Sequence, residues 1–193
     1  MSDDHKRERI LDAATAVFAD RDFHRVLVSE VATRAGVGKG TVYLYFPTKD
    51  DLHRAALEGS LERLAVQIEE AAASTAPVEE ALGDIVAAIL RFFWRRPHLL
   101  TLVQRYEQRK GGRRVVERRN RGRRAITELL ARHRLGGNGA GREQAVGFLL
   151  GMARAAILEH PADVRPETLA GRVVQLFLHG VGGRANGRQR GAA

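Results

Sequence analysis

The segment at 28–52, VSEVATRAGVGKGTVYLYFPTKDDL, constrains this chain more than any other stretch. Its pattern predicts a short helix, a glycine turn, a second short helix and the start of a third. Val31, Ala32 and Ala35 give the first of these an inward face. Gly36 supplies the turn, because a residue without Cβ enters positive φ at no steric cost. Val37 then points inward. The second helix is expected over 38–45, with Val42 and Phe46 one turn apart on its buried edge. The pairs Lys39/Tyr43 and Thr41/Tyr45 have the same spacing and face away from that edge. A small helix that docks by an apolar edge and offers Lys, Thr and Tyr outward meets the requirements for reading DNA. It needs apolar groups to hold it on its own domain and donors for phosphates and base edges.

The flanks complete the head. A helix is expected over 7–20, with Ile10, Ala13, Ala14, Val17 and Phe18 at helical spacing, and residues 1–5 are expected to fray. Phe23 and Val26 close the small core. Leu27 has no side-chain acceptor, so either Ser29 caps the second helix and delays its start, or water takes the free N–H groups. Pro47 ends the third helix. Thr48 is a good N-cap for the fourth, with Asp51 at capping-box spacing. The N–H groups there, with Lys49 beside them, form a natural phosphate site.

Val31-Ala32, Ala35-Gly36-Val37, Lys39-Gly40-Thr41-Val42-Tyr43, Tyr45-Phe46, Lys49 and Leu52 together form a long, ungapped pattern. It closely resembles the helix-turn-helix of the TetR/AcrR family of bacterial transcriptional regulators. The likeness covers roughly the first quarter of the chain; the remainder is similar only in length and helical architecture. The resemblance implies an all-α fold of about nine helices: a three-helix helix-turn-helix head followed by a helical bundle for regulation and dimerisation. It also implies DNA contacts at Lys39, Gly40, Thr41, Tyr43, Tyr45 and Lys49. Lys39 and Thr41 are expected to reach base edges or nearby phosphates, Tyr43 and Lys49 to hold phosphates, and Tyr45 to do either. Gly40 is expected to let the helix approach the groove. Two positions depart from the family: Leu27 stands where Thr or Ser is usual, and Gly38 replaces a frequent Ser, removing one possible hydrogen bond to DNA. A dimer with recognition helices about 34–36 Å apart implies an inverted-repeat operator in double-stranded DNA.

Charge does not carry the DNA reading by itself. The 193-residue chain has a formal net charge of +9, but residues 1–60 sum to −1, 61–90 to −5, 91–134 to +12 and 135–193 to +3. The head is close to neutral, and the basic belt at 91–134 needs its own account. The chain has no Cys, which excludes disulfides and thiolate metal sites. Its seven His are scattered without metal-ligand spacing, and no P-loop or G-x-S-x-G occurs, so neither a metal, a cofactor nor an enzymatic activity is expected. The N-terminus lacks a secretory h-region and no run approaches about 18 apolar residues, so the expected location is cytoplasmic, with no membrane contact.

Beyond the head, helices are expected over 49–73, 78–95, from Pro97 to a stop at Gly111-Gly112, 113–134, 142–159 and 167–181, with a glycine-rich, mobile loop at 135–141. Leu57, Leu61, Leu64 and Ile68 line the inner face of the first of these. Leu82, Ile85, Val86, Ile89 and Phe93 do so in the next, and Leu99, Leu102, Val103 and Tyr106 in the third. This divides the chain into a DNA-binding domain at 1–50, an effector-binding and dimerisation domain at 51–182, and a disordered tail at 183–193. The 142–159 helix is apolar nearly all round and must be buried on several sides. It and 167–181 either form a homodimer surface, as the resemblance implies, with Gly147 and Gly151 as a flat strip, or complete the monomer core.

For a small-molecule effector, apolar or anionic, the candidates are Phe93, Tyr106, Arg119, Phe148 and Met152, with Phe92 and Trp94 nearby. Arg119 interrupts the apolar line Val115, Gly122, Ile126 and Leu129, and Gly122 leaves space beside it. It either anchors an anionic group, reaches solvent, or pairs with Glu107 or Glu117. The aromatic residues either line a pocket or are plain core. The reading is a ligand-released repressor. The alternatives are an activator, or a regulator whose body receives a protein partner or no effector.

Overall fold

A computed structural model describes residues 3–19, 21, 23–94, 98–107, 113–159 and 164–180. Those residues form nine α-helices, one 3-10 turn and no strand, as the all-α expectation required. The helices are α1 Asp3–Ala19, α2 Val28–Ala35, α3 Lys39–Tyr45, α4 Lys49–Ala73, α5 Val78–Phe93, α6 His98–Glu107, α7 Arg113–Arg132, α8 Gly139–Glu159 and α9 Pro166–His179, with the 3-10 turn at Phe23–Arg25. Pro97, Gly111-Gly112 and the 183–193 tail lie outside the described residues.

Two apolar cores organise these helices. Ile10, Ala14, Val26, Val31, Val42 and Leu52 are at most 1 % exposed and centre the first core, among α1, α2, α3 and the start of α4. The second core lies among α4 to α9 and centres on α5, where Leu82, Ile85, Val86 and Leu90 are fully buried. The cores meet on α4, with Ala56 in the first and Leu57 in the second. A single 25-residue helix therefore connects one core rigidly to the other.

Local chemistry moves several boundaries. Helix α1 starts at Asp3 rather than at 7. Asp3 and Asp4 occupy its first turn, where carboxylates offset the helix dipole, and Asp3 accepts a hydrogen bond from the Tyr45 hydroxyl. Ser29 does not cap α2. Leu27 is the N-cap residue, and the Glu30 carboxylate accepts its N–H at 3.3 Å while also binding Arg21 at 3.0 Å. The acid side of a capping box thus works without its hydroxyl partner. Helix α8 begins at Gly139, inside the expected loop, because the Asn138 side-chain oxygen accepts from Gly141 N–H at 2.9 Å. At the start of α4, Thr48 Oγ1 accepts from Asp51 N–H at 3.0 Å, as predicted.

The basic belt finds its partners on α4. Arg121 of α7 holds both oxygens of Glu69, at 2.8 and 2.6 Å, and also binds Glu62. Arg118 Nε lies 2.8 Å from Glu62 Oε2, and the Arg132 guanidinium donates to the Ala72 carbonyl. Gly122 makes this packing close: a Cβ there would sit 3.3 Å from Ile68 Cδ1 on α4. Gly122 was expected to leave room beside Arg119. It is also where α7 presses against α4.

Candidate nucleic-acid interface and interior cavity

Gly36 shapes the α2–α3 turn. It adopts φ 63° and ψ 40°, and the Val37 N–H donates to Ala32 O at 3.0 Å, closing α2 in a left-handed cap. Arg9 of α1 reaches across to donate to the Ala35 carbonyl at 2.6 Å. This turn sets α3 so that Val42, fully buried, and Phe46, 4 % exposed, dock on the head core. The opposite side of α3 is outward. Lys39, Gly40 and Tyr43 are exposed and Thr41 is half-buried. Lys39 Nζ sits 5.9 Å from the Tyr43 ring centroid, a cation–π contact one turn apart. A Cβ at Gly40 would meet nothing within 4 Å, so packing within the chain does not require glycine there.

Two of the expected contact residues are partly engaged elsewhere. The Tyr45 ring packs against the head core, and its hydroxyl donates to Asp3, which raises the phenol pKa because the deprotonated form would face a carboxylate. Lys49 Nζ stands 4.5 Å over the Phe23 ring, at the first turn of α4. Sequence reasoning passed over Leu44, which is 84 % exposed on α3 between Tyr43 and Tyr45. An apolar side chain this open on a recognition helix suits a thymine methyl. Its position three residues after Thr41, on neither the Val42/Phe46 edge nor the Lys39/Tyr43 pair, was the available signal.

Helices α4 to α8 enclose a cavity of about 340 Å³. Its lining includes Leu61, Leu64, Ile68, Phe93, Gly122 and Ile126, with Arg118, Arg119, Arg123 and Arg154 among them. Of the sequence candidates, Phe93 and Arg119 share this cavity. Phe148 and Met152 do not. They line a separate groove on the α8–α9 side, together with Leu176 and Phe177, and Phe148 is 61 % exposed. They point away because Val146, Leu149, Ala153 and Ile157 take the inward stripe of α8. The side chain of Tyr106 lies outside the described residues.

Residues 10–56 match the family model of bacterial regulatory proteins, tetR family, so the matched segment begins in α1, ends in α4 and contains the whole α2–α3 unit. The head is thus similar to the DNA-binding segment of the TetR family, and the match covers about a quarter of the chain. Among its relatives, the HTH-type transcriptional activator FasR of Mycolicibacterium smegmatis is 34 % identical over 89 residues, 46 % of this chain and 41 % of that protein. The HTH-type transcriptional repressor KstR of the same organism is 34 % identical over 100 residues, 52 % of this chain and 49 % of that protein. The chain thus matches about half or less of the length of these curated relatives. The solved structure of the transcriptional regulator FadR from Bacillus subtilis, in complex with stearoyl-CoA, superposes with a TM-score of 0.64. It is 20 % identical and covers 91 % of this chain and 99 % of that one, a likeness of fold. No described helix of this chain is long and apolar enough to cross a membrane.

Proposed function

We propose that this chain is a ligand-responsive transcriptional regulator that binds an inverted-repeat DNA operator as a homodimer, primarily as a repressor. The observation that carries the reading is the α2–α3 unit: the family match spans it, and α3 turns Lys39, Gly40, Thr41 and Tyr43 away from a head core that holds Val42 and Phe46. Lys49 joins this surface at the α4 N-terminus, and Tyr45 contributes its position more than its hydroxyl. The head ends, and the effector and dimerisation body begins, along α4. The exposed apolar strip of α8 and α9, with Phe148, Leu158 and Leu176, is the dimer surface. FasR is named an activator and KstR a repressor, so the relatives include both signs of regulation. We assign the cavity to the effector. FadR of Bacillus subtilis holds stearoyl-CoA within the same fold, which supports an apolar ligand carrying an anionic group. Effector binding favours a spacing of the two heads that no longer fits successive major grooves, and DNA is released. The protein has no catalytic role and works in the cytoplasm.

The test is selection of bound duplexes from a random pool at a stated salt concentration. The expected product is an inverted repeat whose half-sites are centred about 34–36 Å apart. Enrichment of unrelated sequences, or of none, would sink the reading.

A further inference from the structure

The cavity combines two chemistries. Its floor is apolar, built from Leu61, Leu64, Ile68, Phe93 and Ile126, while α7 and α8 bring Arg118, Arg119, Arg123 and Arg154 to it, and no carboxylate stands among its lining residues. Arg118 and Arg123 already face Glu62 and Glu143, which stand outside the lining, so an incoming anion is held by replacing such a pairing. One of these arginines also belongs to a second structure. Arg118 lies 2.8 Å from Glu62 Oε2 on α4, with its side chain only 20 % exposed. Glu62 is at the same time bound by Arg121, whose fork also grips Glu69. Arg118 can therefore exchange Glu62 for another anion without leaving that carboxylate unpaired, because Arg121 remains on it. A buried-side exchange that preserves charge pairing avoids the cost of an isolated ion.

We propose that the cavity takes an amphipathic anion, a single apolar chain ending in a carboxylate or phosphate, and that its headgroup draws Arg118 from Glu62 and loosens α7 from α4. Since α4 carries residues of both cores, a change in its hold on α7 reaches the head. The consequence at DNA rests on the regulator reading above; the binding itself does not. The carboxylate and phosphate sources share the recognition chemistry, one as a free acid and one as a phosphorylated carrier.

The experiment uses the full chain and follows binding by calorimetry and by the emission of its single tryptophan, Trp94, which adjoins Phe93. The probes are sodium dodecanoate, dodecyl phosphate, dodecanol and dodecyltrimethylammonium. Both anions should bind at least about tenfold tighter than dodecanol, about 1.4 kcal/mol, and the cation more weakly than either anion. The tighter of the two anions identifies the headgroup source. Arg118→Gln should remove most of the anions' advantage and leave dodecanol unchanged, and Arg118→Lys should restore part of it. Glu62→Gln should tighten dodecanoate, because it removes a competitor for Arg118. Equal binding of dodecanoate and dodecanol, the same loss for both in Arg118→Gln, or no saturable binding of any probe overturns the proposal. On a selected duplex, dodecanoate should weaken the wild type and spare Arg118→Gln. A wild type that binds dodecanoate as described but selects no duplex removes the regulator reading alone.

Discussion

Gly36 shows at the scale of one residue how the head is made. Its φ of 63° lies where L side chains are strained, and a Cβ would come within 2.7 Å of the Arg9 guanidinium. The guanidinium is flexible and can retreat, but it then loses its bond to the Ala35 carbonyl. Gly36→Ala should therefore destabilise the head by about 1–2 kcal/mol, chiefly through the left-handed backbone. Urea unfolding followed by circular dichroism measures this, and an unchanged midpoint would contradict it. On the reading face, Thr41 and Tyr43 are the sharpest probes. Thr41→Ala should weaken operator binding by about 1–3 kcal/mol if it touches a base edge. Tyr43→Ala should weaken binding to all duplexes alike, as a phosphate contact does. Titrating both variants against cognate and scrambled DNA separates these outcomes. Tight cognate binding by both variants would show that the wrong face has been assigned.

Between residues and the whole molecule, the helices depend on a few charged contacts at their ends and along α4. Glu30 has a lowered pKa, first because it accepts the Leu27 N–H at the start of α2 and then because Arg21 pairs with it. A carboxyl whose folded pKa lies below its ordinary 4.5 contributes stability above that value and loses it as pH falls through the folded pKa. Glu30→Gln should thus be destabilising at about pH 7 and less so at about pH 3, as protonation begins to remove the charge from the wild type. Chemical unfolding of both proteins at the two pH values tests this, and a difference that stays as large in acid would assign the effect to packing. Glu62 follows the same direction, lowered first by its hydrogen bond to Arg121. The belt of arginines at 91–134 is in part the counterpart of this acidic α4.

In the whole molecule, the unfilled requirement is the outer side of α8 and α9. Phe148 at 61 %, Leu158 at 55 % and Leu176 at 44 % are exposed in a single chain, and Phe148 and Leu176 share one groove. A strip like this on a folded chain calls for a partner surface. The wild type should sediment as a dimer and a Phe148→Glu/Leu176→Glu double variant as a monomer, which should lose tight binding to an inverted repeat while keeping its helical content. An unaltered sedimentation coefficient would place the interface elsewhere.

The sequence alone determined the features that depend on neighbours within about one helical turn. Gly36 marks a left-handed turn by its lack of Cβ, Val42 and Phe46 define a buried edge by spacing, and Thr48 with Asp51 marks a helix start. Such signals are local and survive without knowledge of the fold. The end of α4 at Ala73 and the inward stripe of α5 were legible on the same terms. Tertiary structure decided which surface each helix presents and to what. Helix α8 is apolar on so many sides that its periodicity could not say which side faces the cavity, so Phe148 and Met152 were grouped with Phe93 although they face the other way. The partners of Arg121 stand 52 and 59 residues away, beyond any spacing rule. Tyr45 was read as a free donor because nothing local predicts that α1 extends to Asp3 and meets its hydroxyl. Helical periodicity follows from one element's own geometry, whereas charge pairing and cavity lining follow from how several elements pack together.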